Sequence, residues 1–268
     1  MVDWDGEGYE QISDLQRWLA GRALATMRLR GDERVLDVGC GDGYVSRLLA
    51  AELPNGSVTG VDASPRMIEV ARSRPAPAGA RLRFEERNVL DLQFSGEFDL
   101  VVSFNALHWV VDQQAALARL AAAVKTDGSV VVQVVCAGPR RSVEQVALRV
   151  CAAERWRAAS PSSPFADFPV PFVHVDPQTY PELAASAGLS VSTVNVDDLE
   201  WDFGSREAFS RWCTVGFADF TARLAPADVP LWVAEVVDGY EAVAGRPGLF
   251  RFLQLHAVLR PARAGLTS

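Results

Sequence analysis

Short apolar segments alternate with helical segments between Arg34 and Cys136, and this alternation restricts the possible folds of the 268-residue chain more than any other feature. The apolar segments are rich in β-branched residues, as is typical of strands buried on both faces of a parallel sheet. They lie at 35–38, 58–61, 82–84, 98–102 and 130–135. Repeated strand–helix–strand units need right-handed crossovers, so the pattern predicts an α/β fold with a doubly wound, mostly parallel sheet.

The pattern changes on both sides of this core. Residues 3–30 predict an amphipathic helix. Residues 137–182 carry seven prolines, which predicts an ordered loop that crosses a surface or an active-site rim. Segments 189–203 and 249–260 predict two late strands, with an aromatic-rich helical stretch over 206–245 between them. The interpretation is a single domain with an insertion, divided into an N-terminal lid helix (1–30), a cofactor-binding α/β core (31–136), a substrate cap with a late strand (137–250) and a last strand with a tail (251–268).

Composition excludes some classes of function. Lys and Arg total 26 against 34 Asp and Glu, giving a net charge of −8, whereas a duplex-binding protein needs a basic face. We therefore expect no nucleic-acid partner. No apolar stretch approaches the ~18 residues of a membrane span, and the first residues are acidic rather than signal-like. The four cysteines form no C-x-x-C pair, which predicts reduced thiols, no metal site and a cytoplasmic protein.

The segment Val35–Gly43 contains the first predicted strand and, directly after it, a glycine-rich turn that places a ligand at the carboxyl edge of the sheet. The dinucleotide fingerprint would need glycine at position 44, which is Tyr44, so an NAD-dependent dehydrogenase is disfavoured. Asp37, Asp42 and Asp62 would repel a pyrophosphate but attract a cationic group, and Asp62 can accept hydrogen bonds from ribose hydroxyls. The turn therefore favours a nucleoside with a positive tail.

These residues resemble the class I S-adenosylmethionine-dependent methyltransferases. Val35–Gly43 is similar to the first motif of that family, Gly60–Met67 to the second, Arg83–Leu92 to the third, and Phe98–Trp109 to the motif beside the reacting methyl group. The resemblance implies S-adenosyl-L-methionine as the cofactor and a seven-stranded sheet with one reversed strand.

The resemblance also implies the cofactor site. Asp62 would hold the ribose, an apolar residue after it would pack on the adenine, and Asn88 would meet the adenine amine where many relatives carry aspartate. The implied cofactor contacts are Tyr9, Asp37, Gly39, Cys40, Gly41, Asp62, Ala63, Met67, Asn88, Val89, Phe104 and Asn105.

The N-terminal segment is similar to the juvenile-hormone acid and trans-aconitate methyltransferase-like carboxyl methyltransferases. Tyr9 and Gln16 stand seven residues apart, and the chain also carries the cluster Leu107-His108-Trp109. The resemblance implies that Tyr9 covers the cofactor while Gln16 and Trp109 donate hydrogen bonds to a substrate carboxylate. Neutral donors of this kind can orient a carboxylate without cancelling its nucleophilic charge. The candidate catalytic residues are Gln16, His108 and Trp109.

His108 admits two interpretations. Its ordinary pKa suits a general base at neutral pH, or it packs beside the cofactor loop and only donates a hydrogen bond. A carboxylate is already ionised at neutral pH and needs no base, whereas an amine, a phenol or a carbon acid does.

The second half of the chain is dense in aromatic residues, as a pocket for a hydrophobic ligand is, although most of these rings are expected to be core packing. His174 could add a polar contact to this pocket. We therefore expect methyl-ester formation on a small apolar carboxylic acid. The alternatives are N-, O- or C-methylation of a specialised metabolite with His108 as base, and a protein that binds S-adenosylmethionine without methylating.

Overall fold

The computed structural model of the chain describes residues 14–157 and 164–262. The strands are β1 (Arg34–Val38), β2 (Ser57–Asp62), β3 (Leu82–Glu86), β4 (Phe98–Phe104), β5 (Val124–Val135), β6 (Leu189–Asp202) and β7 (Leu249–Pro261). The helices are α1 (Asp14–Ala25), α2 (Tyr44–Ala51), α3 (Pro65–Ser73), α4 (Gln113–Ala123), α5 (Val143–Cys151), α6 (Glu154–Arg157), α7 (Tyr180–Ser186), α8 (Arg206–Gly216), α9 (Ala218–Thr221) and α10 (Val229–Ala244). Single 3-10 turns cover Val89–Asp91 and Leu107–Trp109.

All seven strands form one sheet in the order β3-β2-β1-β4-β5-β7-β6. Strands β1 to β5 pair in parallel, and β7 runs antiparallel to both β5 and β6. The predicted doubly wound, mostly parallel sheet with one reversed strand is confirmed. The strand order changes direction between β1 and β4, and in such sheets ligands bind beyond the carboxyl ends of the strands at that point.

The central strands are buried on both faces, as their β-branched composition predicts. In β5, Val130, Val132 and Val134 pack into one apolar cluster while Val131 packs into another, and each is less than 5% exposed. Because successive strand residues point to opposite faces, helices cover both sides of the sheet.

Side-chain caps fix the starts of two helices at the carboxyl edge of the sheet. The Ser64 hydroxyl accepts a hydrogen bond from the Met67 amide at 3.2 Å, and Pro65 occupies the first helical position. The Asp112 carboxylate accepts from the Ala115 amide at 2.9 Å and caps α4. These caps begin α3 and α4 immediately after the carboxyl edge of the sheet, where the site lies.

Two sequence-based boundaries are wrong, and β5 begins directly after α4. The expected loop over 137–182 contains α5, because Ser142 and Gln145 form a reciprocal capping box. Helix α1 ends at Ala25 rather than at residue 30, and the Thr26 hydroxyl donates back to the Ala23 carbonyl. Val124 is the buried first residue of β5 and not part of α4.

The cap packs an aromatic cluster against the inner face of β7. Phe209, Phe217, Phe220, Trp232 and Tyr240 are each at most 1% exposed. Most rings of the cap are therefore core packing. The four cysteines are buried and unlinked, and within the described ranges no helix has the length and apolar character needed to cross a bilayer.

Candidate functional site

Three adjoining cavities open at the carboxyl ends of β1, β2 and β4. The edge cavity, of about 140 Å³, lies between Asp62 and Trp109. The glycine-loop cavity, of about 70 Å³, lies between the turn 39–44 and α1. The cap chamber, of about 80 Å³, lies between α1, α5, α8 and β7. Asn105 lines all three, so they form one branched site.

The edge cavity collects most of the residues predicted to bind the cofactor. Its lining includes Gly39, Gly41, Asp62, Ala63, Met67, Val89, Phe104 and Asn105. It also includes Arg87 and Val110, which the motifs did not single out. Its apolar wall suits a flat ring, and Asp62 supplies the carboxylate.

Backbone hydrogen bonds fix the Asp62 carboxylate in place. Its Oδ2 accepts from the Gly41 amide at 2.9 Å and its Oδ1 from the Ser64 amide at 2.9 Å. Burial raises the pKa of this carboxyl group, and the same backbone hydrogen bonds oppose the rise. A carboxylate oxygen has two lone-pair sites, so each oxygen keeps acceptor capacity for a ligand hydroxyl. The glycine turn therefore positions the acid as well as admitting a ligand.

Two glycines of this turn serve different purposes. Gly39 has φ of +74°, and a Cβ there would lie 2.1 Å from the Ala106 Cβ, so this glycine permits close packing of the turn. Gly41 has φ of +53°, and a Cβ there would meet nothing within 4 Å. The space over Gly41 is therefore open cavity that a side chain would fill, as expected where a ligand approaches the backbone.

The acidic residues of the turn differ in how they are compensated. Asp37, with Cys40, lines the glycine-loop cavity and accepts from the Ser46 hydroxyl at 2.6 Å. Burial, partly offset by that hydrogen bond, raises the pKa of Asp37 to about 7. The Asp42 carboxylate instead lies 2.8 Å from the Arg74 guanidinium. Arg74 therefore offsets part of the Asp42 charge, and Asp37 and Asp62 remain the stronger candidates to attract a cationic tail.

Asn88 lies beside the edge cavity but not among the residues that line it. Its Oδ1 accepts from the Leu90 amide at 3.0 Å and caps the short turn that carries Val89 into the cavity wall. The Asn88 side chain therefore has a structural role in shaping the cavity wall, which is an alternative to the predicted contact with an adenine amine. Tyr9 lies outside the described residues.

The cap chamber brings together the three candidate catalytic residues. Gln16 from α1, His108 and Trp109 line it, and the Oε1 atom of Gln16 is buried without a hydrogen-bond partner. Gln16 also lines the glycine-loop cavity, and Trp109 also lines the edge cavity. Both therefore lie where the chamber joins the other two cavities.

Asn105 has the only positive φ, +57°, among the non-glycine residues of 14–157 and 164–262. Its backbone N–H donates to the Gln133 carbonyl at 2.7 Å, which holds this conformation. The side-chain Oδ1 of Asn105 is buried without a hydrogen-bond partner. Left-handed backbone in a non-glycine residue costs free energy and concentrates at functional sites. Asn105 therefore combines strained backbone with an unpartnered acceptor in a residue that lines all three cavities.

His108 is buried, and its ring lies 6.4 Å from that of His174 between centroids. Burial chiefly, and His174 secondarily, lower the pKa of His108 to about 3. The imidazole is therefore neutral at neutral pH and a weak proton acceptor. This weighs against the base interpretation and favours a packing role.

Two features of the chamber escaped the sequence interpretation. Phe250 and Phe252 line it from β7, beside Trp212 and Phe217 from the aromatic-rich helical stretch. The period-two spacing of Phe250 and Phe252 on a predicted strand was the available signal. Glu144 also lines the chamber while being only 4% exposed, and no motif pointed to it.

Known proteins resemble this chain in sequence and in fold. The methyltransferase domain family matches residues 35–128. Trans-aconitate 2-methyltransferase of Rhodococcus jostii is 31% identical over 191 residues, covering 70% of each chain. The enzyme of the same name from Methylobacterium nodulans is 35% identical over 133 residues, covering 50% of each, so the match spans about half the length of such curated relatives.

The solved structure of the YcgJ protein from Bacillus subtilis superposes with a TM-score of 0.66 at 18% identity, covering 93% of this chain and 100% of that one. At that identity the likeness concerns the fold. Together with the sequence matches and the glycine turn tied to Asp62, it leads to one assignment. The chain belongs to the S-adenosylmethionine-dependent methyltransferases.

Proposed function

We propose that the chain transfers the methyl group of S-adenosylmethionine to the carboxylate of a small, largely apolar acid, giving a methyl ester. The observation that carries this proposal is the meeting of Gln16 and Trp109 in one chamber, at its junctions with the two other cavities. An amide and an indole are neutral donors that can orient a carboxylate without neutralising it.

The residues on the carboxyl edge fit the cofactor. Asp62 would accept from the ribose hydroxyls, and Asp37 would face the cationic amino-acid end in the glycine-loop cavity. Ala63, Met67 and Val89 would pack on the adenine. When bound, the cofactor supplies an electrophilic methyl group whose carbon–sulfur bond breaks toward sulfur as the carbon–oxygen bond forms.

In this scheme the protein acts by positioning. The Gln16 amide and the Trp109 indole N–H would hold the carboxylate oxygens so that one lone pair faces the methyl carbon. Holding two reactants in line can lower a barrier by ~7–11 kcal/mol. No proton has to be removed from a carboxylate, which agrees with the lowered pKa of His108.

The chamber supports an apolar acid better than a polycarboxylate. Leu15, Leu19, Phe217, Phe250 and Phe252 form much of its wall, and within the described parts of the chain no Lys or Arg lines it. The trans-aconitate relatives support carboxyl methylation by their names, while this wall supports a less charged acid.

The test is an assay with methyl-labelled cofactor against apolar carboxylic acids and their matched amides and amines. We expect labelled methyl esters from acids and no labelled product from amides. Methylated amines without any ester would refute the ester proposal. Tight cofactor binding without formation of S-adenosylhomocysteine would favour the non-methylating alternative.

A further inference from the structure

Glu144 is a buried acid in the wall of the cap chamber. It lies in the first turn of α5, where Ser142 and Gln145 satisfy each other's backbone amides and leave the Glu144 side chain unused in capping. Its side chain is 5% exposed, and its Oε2 has no hydrogen-bond partner. A buried carboxylate oxygen without a hydrogen bond is costly, which points to a ligand group that completes it.

The nearest basic group leaves this carboxylate incomplete. The His174 Nε2 lies 3.6 Å from the Glu144 Oε2, beyond hydrogen-bond distance, and that nitrogen is also buried without a hydrogen-bond partner. Arg140 and Arg251 share a small neighbouring cavity with Glu144, but they form ion pairs with Asp198 and Glu200.

The rest of the chamber wall suits a cation. Five aromatic rings line it, from Trp109, Trp212, Phe217, Phe250 and Phe252. The faces of such rings attract ammonium groups, and a carboxylate among them strengthens that attraction. Glu144 and Trp109 line the same chamber, whose volume is about 80 Å³. One small molecule can therefore reach both Trp109 and Glu144.

We propose that Glu144 is a specificity-determining residue that selects substrates carrying an ammonium group at the end opposite to the carboxylate that is methylated. This inference rests on the proposed carboxyl methylation. The substrate class is then an amphoteric acid with an apolar body, with its carboxylate at Gln16 and Trp109 and its ammonium among the aromatic rings beside Glu144.

The experiment measures binding to the full chain saturated with S-adenosylhomocysteine, by titration calorimetry. The probes are benzoate, phenylacetate and hydrocinnamate, each unsubstituted and with a para-hydroxy or a para-aminomethyl group, so that three lengths sample the chamber. We expect the best aminomethyl acid to bind about tenfold tighter than its unsubstituted parent. In Glu144→Gln this preference should vanish, and the unsubstituted acid should bind at least as tightly as in the wild type.

Two further variants keep the result interpretable. Glu144→Asp retains the charge and should retain the preference, whereas Glu154→Gln makes the same change at an exposed position on α6 and should leave it intact. Equal affinities in the wild type, a stronger effect of hydroxyl than of aminomethyl, or a preference that survives in Glu144→Gln would overturn the proposal. Product analysis tests the proposed function separately, since absence of any methyl ester would refute it whatever the binding ratios.

Discussion

The cofactor side of the site and the cap chamber are assembled from the chain in different ways. On the cofactor side, most of the predicted contacts lie between Asp37 and Asn105, and backbone hydrogen bonds hold the central acid, Asp62. The chamber takes side chains from positions as distant as Leu15 and Phe252. A site built from glycines and backbone groups close together in the chain can be recognised as a sequence motif. A site built from side chains of distant elements can be recognised mainly from amino-acid composition.

Gly41→Val should produce the largest loss of cofactor affinity, and it tests the cofactor side of the site alone. The valine side chain would occupy the open space over the turn and abolish measurable binding of S-adenosylhomocysteine. The positive φ should add only about 1–2 kcal/mol of destabilisation. Calorimetry and thermal unfolding measure the two effects.

Gly39→Val is the matched comparison for that variant. Its Cβ would collide with Ala106 at 2.1 Å, so it should lower the unfolding temperature more than Gly41→Val does. Normal cofactor binding by Gly41→Val would show that the open space over the turn is not where the ligand lies.

Asp62→Ala should weaken cofactor binding by about 1–3 kcal/mol, because hydrogen bonds to a charged acceptor are lost. The Gly41 and Ser64 amides would also lose their shared acceptor and the turn its anchor. Asp127→Ala, at an exposed position on β5, serves as the control and should bind as the wild type does. An unchanged dissociation constant in Asp62→Ala would remove this residue from the cofactor site.

The same contrast explains which features of the molecule could be predicted from the sequence. The parallel sheet, the cofactor turn and the caps at Ser64 and Asp112 were predictable, because each depends on neighbours within a few residues. That Asp42 would pair with Arg74 was not, since 32 residues separate them. The helix at Val143–Cys151 was missed although its capping box was visible in the sequence.

The chamber was harder to predict because its chemistry depends on packing. Glu144 is buried only because α5 lies against α10 and the inner face of β7, and no local pattern encodes that arrangement. The lowered pKa of His108 likewise follows from burial and from His174, which lies far along the chain. Sequence reasoning could name His108 but could not tell a base from a neutral imidazole.

Gln16→Ala and Trp109→Phe bear on the chamber side. Each removes one neutral donor from the proposed carboxylate clamp, so each should raise KM for an acid about tenfold or lower kcat/KM by as much. Cofactor affinity should change far less than in Asp62→Ala. Trp18→Phe changes an indole on α1 that lines none of the three cavities and should leave turnover unchanged. Unchanged ester formation in both clamp variants would refute their assignment.

A pH titration of cofactor binding should show the smallest effect. It concerns the place where the cofactor side meets the cap chamber, because Gln16 and Asp37 line the same cavity. The pKa of Asp37, raised to about 7 by burial, means that the carboxyl group gains its charge as pH rises through neutrality. A cationic amino-acid tail binds the charged form better, so affinity for S-adenosylhomocysteine should rise about tenfold from about pH 6 to about pH 8. The ligand-free protein should lose stability as pH rises from about 4 to about 7, because over that range the unfolded chain has released the Asp37 proton while the folded protein retains it, and stability should change little above about pH 7. Asp37→Asn keeps a polar partner for Ser46 but should abolish the pH dependence of affinity, whereas Asp127→Asn should retain it. A flat wild-type profile would place the cationic tail away from Asp37 and leave Asp62 as the acid that the ligand meets.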